Sequence, residues 1–272
     1  MQELEKFIIE NEPTIRLIFF FGIIFVMSIL EYIIPQRILL LSKFKRWVNN
    51  ISLVFLNSLL LRIIFPTAAL GVSIYANNNN IGLLNFFELS LTTSIILSIL
   101  LLDLIIYTQH RLFHVIGFFW KFHKVHHSDM DYDLTTGFRF HPIEIIFSMF
   151  IKIFFVLLLG VPVIAVLIFE IILSTLAVFN HSNIHLPKNV DKILRFFIVT
   201  PDMHRIHHSI YTNELNSNYG FNLSLWDRIF NTYTKMTKDS QEKMTIGLKN
   251  IQDENKTVSL LSILKLPFVV LD

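Results

Sequence analysis

At 272 residues with 53% hydrophobic and only 16% charged side chains, the chain is far more apolar than an average soluble domain, which carries roughly 25% charged residues, and its mean hydropathy of +0.56 agrees. A net charge of +2 with no basic stripe leaves no footprint for nucleic acid. The absence of cysteine excludes disulfides, thiolate zinc sites, cysteine-held iron–sulfur clusters and a cysteine nucleophile, so any metal must be held by nitrogen and oxygen.

A membrane-spanning helix needs roughly 20 apolar residues, within a range of about 17–25. The first such stretch runs from Ile15 to Ile34 and stops at Pro35. It is too long and apolar for the core of a signal peptide, and no small-residue cleavage site follows, so it reads as an uncleaved anchor. The second runs from Val48 to Tyr75, with Arg62 and Pro66 inside it. Arg62 at that depth must snorkel or find a partner. The third runs from Leu89 to Tyr107. The fourth region, Ile143 to Phe179, is too long for one span, and Gly160, Val161 and Pro162 break it into two short arms, a tight helical hairpin. Residues 235–258 are polar and expected to be exposed, whereas Leu260 to Leu271 is apolar but too short to span and either packs on the cap or lies at the interface. The expected fold class is all-α: a membrane bundle of three long spans plus a short helical hairpin, with a helical cap.

Lysine and arginine set the orientation. Arg37, Lys43, Lys45 and Arg46 follow the first span, and Arg111, Lys121, Lys124 and Arg139 follow the third, while only Lys6 and Arg16 oppose the pattern. The amino terminus is therefore expected outside, with residues 36–47, 108–142 and 180–272 in the cytoplasm. Every histidine falls on that cytoplasmic side, although none was used to orient the chain.

All eleven histidines lie between His110 and His208. Ten form four boxes: His110 and His114 (HxxxH), His123, His126 and His127 (HxxHH), His181 and His185 (HxxxH), and His204, His207 and His208 (HxxHH). Residues i and i+4 of a helix share a face, so each HxxxH pair is expected to point at one centre. A lone pair of this kind is more often packed or hydrogen-bonded than ligating; four boxes on one side argue for shared metal binding. Ten imidazoles exceed what one ion takes, and two metals with about five nitrogens each fit the count. Imidazole suits zinc, copper, iron and nickel, and structural zinc takes four ligands; redox iron is the best use of so many nitrogens, but ligand type alone does not fix the metal. Haem needs two axial ligands, not ten. His141, just before Pro142, has three readings: a ligand, a support for a ligand, or the start of a helix.

Metal-bound imidazoles usually donate their other N–H to a carboxylate or carbonyl. Asp103 shares a helical face with His110 and His114, and its competing role is an ion pair with Arg62. Glu170 stands in a weaker version of the same relation to His181. Asp202 and Glu144 adjoin motifs and are further supporting residues for the ligands. Asp129, Asp131 and Asp133 read as a solvated loop, and Lys121, Lys124 and Arg139 as surface charges rather than ligands for a lipid headgroup.

The boxes and their flanks resemble the fatty acid hydroxylase/sterol desaturase superfamily of membrane di-iron oxygenases over about residues 100 to 233. The flanking words include Trp120-Lys121-Phe122-His123, Arg139-Phe140-His141-Pro142-Ile143-Glu144, Thr200-Pro201-Asp202-Met203-His204, Asn218-Tyr219-Gly220 and Trp226-Asp227-Arg228-Ile229-Phe230; at Asn231 the family often has glycine. The resemblance implies two irons held by His110, His114, His123, His126, His127, His181, His185, His204, His207 and His208. It divides the chain into N-terminal transmembrane helices (1–99), a di-iron catalytic domain (100–233) and a C-terminal polar segment with a short apolar tail (234–272). The separate HxxxH between two HxxHH boxes favours the hydroxylase and sterol-modifying branch over acyl-coenzyme A desaturases. The implied chemistry is O2 activation by two ferrous ions and abstraction of hydrogen from a C–H bond of a lipid, sterol or fatty-acyl substrate, ending in hydroxylation or desaturation. With no GxGxxG unit, no cysteine and no room for a haem domain, electrons are expected from an external ferredoxin, or a cytochrome, with its reductase. Two other classes compete: a zinc-dependent membrane hydrolase, and a non-enzymatic metal-binding or transport protein. Transport needs a polar path, and the charges deep in the spans, Arg62, Asp103, Lys152 and Glu170, are too few to make a continuous one.

Overall fold

The structure, a computed structural model, describes residues 7–269; Lys6 and the last residues of the C-terminal apolar stretch lie outside the described residues. Five helical segments are long and apolar enough to cross a membrane. The first, α1 (Glu12–Ile33), has a proline in its opening turn, where the missing N–H costs nothing. The second begins as α2 (Lys43–Ile64), whose first turn is capped by the Ser42 hydroxyl accepting the Lys45 N–H. It does not run on as one helix to Tyr75. The backbone leaves helical geometry at Phe65 and resumes as α3 (Ala68–Asn78), because Pro66 lacks an N–H and forces its predecessor out of the α region. Arg62 is exposed and, among the described residues, has no ion-pair partner; of its two readings, snorkelling and a partner, the pairing with Asp103 is not formed.

The third long helix, α4 (Leu91–Val115), has 25 residues and is therefore about 37 Å long, enough to carry the bundle and then project beyond it. A short break leads to α5 (Gly117–His127). The hairpin is α6 (Pro142–Leu159) and α7 (Val163–Asn180). Gly160 turns it at φ +68, in the left-handed region glycine fills without strain, and a Cβ there would sit 2.6 Å from the Ile81 carbonyl oxygen. Leu102, Ile106, Val156, Val166 and Phe169 form the core between α3, α4, α6 and α7, while Phe21, Phe25, Phe55, Ile63 and Phe154 face outward.

One face of α2 fastens the bundle to the loop that follows α5. Arg46 places its guanidinium on Asp129 at 2.8–2.9 Å and on Asp133 at 2.6 Å. Asn50 donates to Thr135 and accepts from Arg139, and Asn57 donates to the Phe140 carbonyl. Asp131 accepts the Leu40 and Leu41 N–H groups. The expectation of a solvated acidic loop is therefore overturned: all three aspartates are buried, because the loop doubles back beneath α2 and each charge finds donors there. Burial alone would raise the Asp129 carboxyl; the Arg46 guanidinium outweighs it and holds the group at about 2. Arg139 is likewise no surface charge. It is fully buried and donates to Val125, Ser128 and Thr257. Lys124 is buried too, with its ammonium directed at the Val269 carbonyl.

The cap consists of short helices, among them α8 (Lys188–Leu194), α9 (Pro201–His207), α10 (Thr212–Leu215), α11 (Leu225–Ile229), α12 (Glu254–Thr257) and α13 (Leu260–Lys265). Among the described residues there is no strand, only isolated bridges such as Pro35 with Ile184. The C-terminal apolar stretch packs on the cap: Ile263 and Leu266 join Leu248 and Ile251 against Leu53 and Val125. Residues 235–258 are less exposed than their polarity suggests, since Met244 and Ile246 close over Tyr132.

Candidate metal centre

Nine imidazoles converge into two adjacent groups. His110, His114, His123, His127 and His207 form one, His126, His181, His204 and His208 the other, and within each group the nitrogens on offer lie within 4.8 Å of one another. The HxxHH boxes divide between them. His123 and His127, one helical turn apart on α5, face the first group while His126 faces the second. On α9 the order reverses: His204 and His208 face the second group and His207 the first. Each box thus bridges both groups.

The hydrogen bonds fix what these nitrogens are. His110 Nδ1 lies 2.8 Å from the Tyr219 carbonyl oxygen and His207 Nδ1 2.7 Å from that of Ser217. A carbonyl only accepts, so both Nδ1 atoms carry the proton and both Nε2 atoms present bare lone pairs. Those two Nε2 atoms are 3.0 Å apart. Two lone pairs at that separation repel unless a cation lies between them. Nitrogens bound to one ion at about 2.1 Å and at right angles are about 3.0 Å apart, the spacing found here. The second group repeats it: His181 Nδ1 donates to Ala177, and its Nε2 lies 3.2 Å from that of His126 and 3.0 Å from that of His204. His114 and His208 have both ring nitrogens buried without a hydrogen-bond partner, and buried groups of this kind call for an explanation, for which a bound ion serves.

Protonation is not the remedy. Burial first, and then repulsion among neighbouring imidazoles, pushes His126, His127, His204 and His208 well below the ordinary histidine range, and burial takes His207 to about 3. The neutral, lone-pair-in arrangement suits a metal ion and excludes a cluster of imidazolium ions.

The tenth box histidine stands apart. α7 ends at Asn180 with His181 as its C-cap, and the chain then runs extended, with the His185 N–H on the Ile34 carbonyl and Ile184 bridged to Pro35. The i, i+4 relation needs helix between its members, so the His185 ring leaves the site and bonds Gln36 Oε1 at 2.6 Å. His141 also lies outside both groups: its Nδ1 accepts the Ile143 N–H and so starts α6. Of the acids, Glu144 reaches a histidine of the first group, with Oε1 2.6 Å from His123 Nδ1. Asp103 touches no histidine; it accepts the Trp226 indole N–H at 2.8 Å and the Leu223 N–H at 3.2 Å. Asp202 pairs with Arg205, and Glu170 with Lys152 and Arg16 inside the bundle. The carbonyls of Ser217 and Tyr219 went unforeseen because backbone acceptors leave no mark on a side-chain pattern. Asp227 is part of their support, accepting the N–H groups of Tyr219 and Gly220. Asn231 has φ +55, so the glycine common there in the family reflects a left-handed backbone rather than chemistry.

A cavity of about 200 Å3 opens against His110, His123 and His126 and runs into the bundle between Phe113, Phe140 and Met149. Phe140 lies flat on His126, with ring centres 4.4 Å apart.

Residues 95–232 match the sequence profile of the family described as fatty acid hydroxylase. The chain belongs to the fatty acid hydroxylase family. Among its curated relatives are ornithine lipid hydroxylase OlsE of Rhizobium tropici, 30% identical over 56% of this chain and 45% of that protein, and alkylglycerol monooxygenase of Xenopus tropicalis, 32% identical over 52% of this chain and 30% of the relative. Human cholesterol 25-hydroxylase is 27% identical over 51% of the chain and 50% of its own length. The chain thus spans half or less of the length of each of these relatives. No solved structure matches this family member.

Proposed function

We propose that this fatty acid hydroxylase family member is an integral membrane oxidoreductase that hydroxylates a lipid at a pair of iron ions. His110, His114, His123, His127 and His207 would hold one ion and His126, His181, His204 and His208 the other, a set of nine rather than ten. The observation that carries this reading is the pair of bare Nε2 lone pairs of His110 and His207 held 3.0 Å apart. The named activities of the relatives, all hydroxylases or monooxygenases, support it. Bound iron would supply the activation of O2 that insertion into a C–H bond requires.

The chain's own residues do the rest. Glu144 and the Tyr219, Ser217 and Ala177 carbonyls hold four imidazoles in one tautomer and orientation. Phe140 and Phe113 keep water from the cavity side of the ligands. The apolar walls hold an alkyl chain with its C–H bonds beside His110, His123 and His126. In the proposed orientation the histidine side faces the cytoplasm, within reach of an external donor, a ferredoxin or a cytochrome with its reductase.

The test is elemental analysis of detergent-purified protein beside a His126→Ala/His207→Ala variant, which removes one ligand from each group. The expected result is two irons per chain, lost in the variant, together with O2- and reductant-dependent addition of one oxygen to a lipid by the wild type. Two zincs that persist through iron-replete anaerobic preparation, with activity in the absence of O2, would establish the hydrolase reading instead.

A further inference from the structure

On the outside of the cap, away from the histidines, two distant segments build one surface. α8 and the turn after it expose Ile193, Phe196 and Phe197 at 62–67%. α11 exposes Leu225, Ile229 and Phe230 at 42–53%. The two are joined side by side: Ile198 bridges Leu223, the Ser224 N–H donates to the Phe197 carbonyl, and the Arg228 guanidinium lies over the Phe196 ring. An apolar patch of this extent is a liability on a protein surface in water.

Its height on the bundle gives it a purpose. Asp103 pins both Leu223 and Trp226 to α4. Asp103 lies seven residues before His110, about 10 Å down the helix from the metal ligands toward the middle of the bundle. The patch therefore continues the lipid-facing surface of α4 rather than facing solvent.

At the edge of the patch is a cleft of about 550 Å3 that shares Phe196 with it. Lys188, Lys192, Lys235 and Arg228 line this cleft, and among the described residues none of the three lysines forms an ion pair. Two of the three acids of the cleft are paired with arginines, Asp191 with Arg195 and Asp202 with Arg205, each at 2.6 Å, which leaves Asp239 alone against three lysines. The Arg228 Nε is buried with no acceptor. Uncompensated positive charge thus borders a lipid-level apolar face, the combination that holds a segment at the boundary of headgroups and acyl chains.

We infer that this cleft binds the phosphate of an anionic phospholipid whose acyl chains lie along Phe196, Phe197 and Ile229, a lipid site separate from the metal-side cavity. It fastens the cap to the leaflet on the histidine side.

The test is native mass spectrometry of the full chain released from phosphatidylcholine nanodiscs with and without phosphatidic acid. A Lys188→Gln/Lys192→Gln/Lys235→Gln variant and a Lys249→Gln/Lys256→Gln control are carried through in parallel. The wild type and the control should retain phosphatidic acid in preference to phosphatidylcholine. The triple variant, with unchanged thermal stability and metal content, should lose that preference by about fivefold per lysine. Equal retention by variant and wild type overturns the proposal. Displacement of the lipid by millimolar inorganic phosphate, bound through the same lysines, would assign the cleft to a soluble phosphate and overturn it as well. So would loss of binding to an acidic electron-transfer protein with lipid retention unaffected.

Discussion

His110 and His114 stand four residues apart within an unbroken α4, and both turn to the same group of nitrogens. His181 and His185 have the same spacing, but α7 ends between them, and the second ring swings to Gln36. An HxxxH spacing is a statement about distance only on a helix; on an extended chain it places the two rings on unrelated bearings. The HxxHH boxes show the complementary case. On α5 and α9 the i and i+4 members serve one group and the i+3 member serves the other, so a single helical turn feeds two sites.

The comparison breaks most decisively at the ligands. His114→Ala should cost about one iron per chain and lower turnover by more than 100-fold, whereas His185→Ala should retain both irons, as read by elemental analysis. Loss of one iron in His185→Ala would return that residue to the ligand set. Next in size is the clamp beneath the site. Arg46→Ala leaves Asp129 and Asp133 buried without their cation and should destabilise the protein by about 3–5 kcal/mol, seen as a lower unfolding temperature in detergent. Arg46→Met should lose less if packing rather than charge dominates. Glu144→Gln removes the acceptor from one ligand while leaving the cage intact; iron affinity or turnover should fall by about 10–100-fold, without the collapse expected of His114→Ala.

Acid sharpens the same contrast. The buried imidazoles titrate below their unfolded value, so between about pH 6.5 and pH 4 the unfolded chain binds more protons than the folded one. Stability is therefore fully present above about pH 6.5 and falls with pH, by about 1.4 kcal/mol per affected histidine per pH unit. Iron retention and melting temperature followed from pH 7.5 to 5 should both decline. A flat profile would contradict the buried, neutral state of His126, His127, His204 and His208.

Much of this was legible in the sequence for physical reasons that can be named. Apolar length located the bundle, and Gly160 marked the hairpin turn because few other residues tolerate that backbone. The boxes marked out the two imidazole clusters, because so many histidines on one side have few uses other than holding metal. What could not be read depends on partners far away in sequence. Asp129, Asp131 and Asp133 have the composition of a wet loop, and only Arg46, Leu40 and Leu41, brought up by α2, make them interior. Pro66 was visible within an apolar run, yet its cost as a full break depended on Phe65 leaving the helix. His185 was read as helical because nothing in the sequence shows where α7 stops.

The reach of Arg139 to the Thr257 carbonyl and of Arg37 to that of Met244 bears on how the protein is made. The walls around the boxes are completed by residues 244–257, so a ribosome that has released only the first two hundred or so residues holds an open, imidazole-rich pocket. Divalent affinities for nitrogen sites peak at copper, with zinc also above ferrous iron, so an unfinished chain would capture copper or zinc first. On the proposed di-iron reading, correct loading is then a matter of timing: iron must be delivered after residues 244–257 have closed over the pocket, or exchanged in by factors that discriminate where the cage does not.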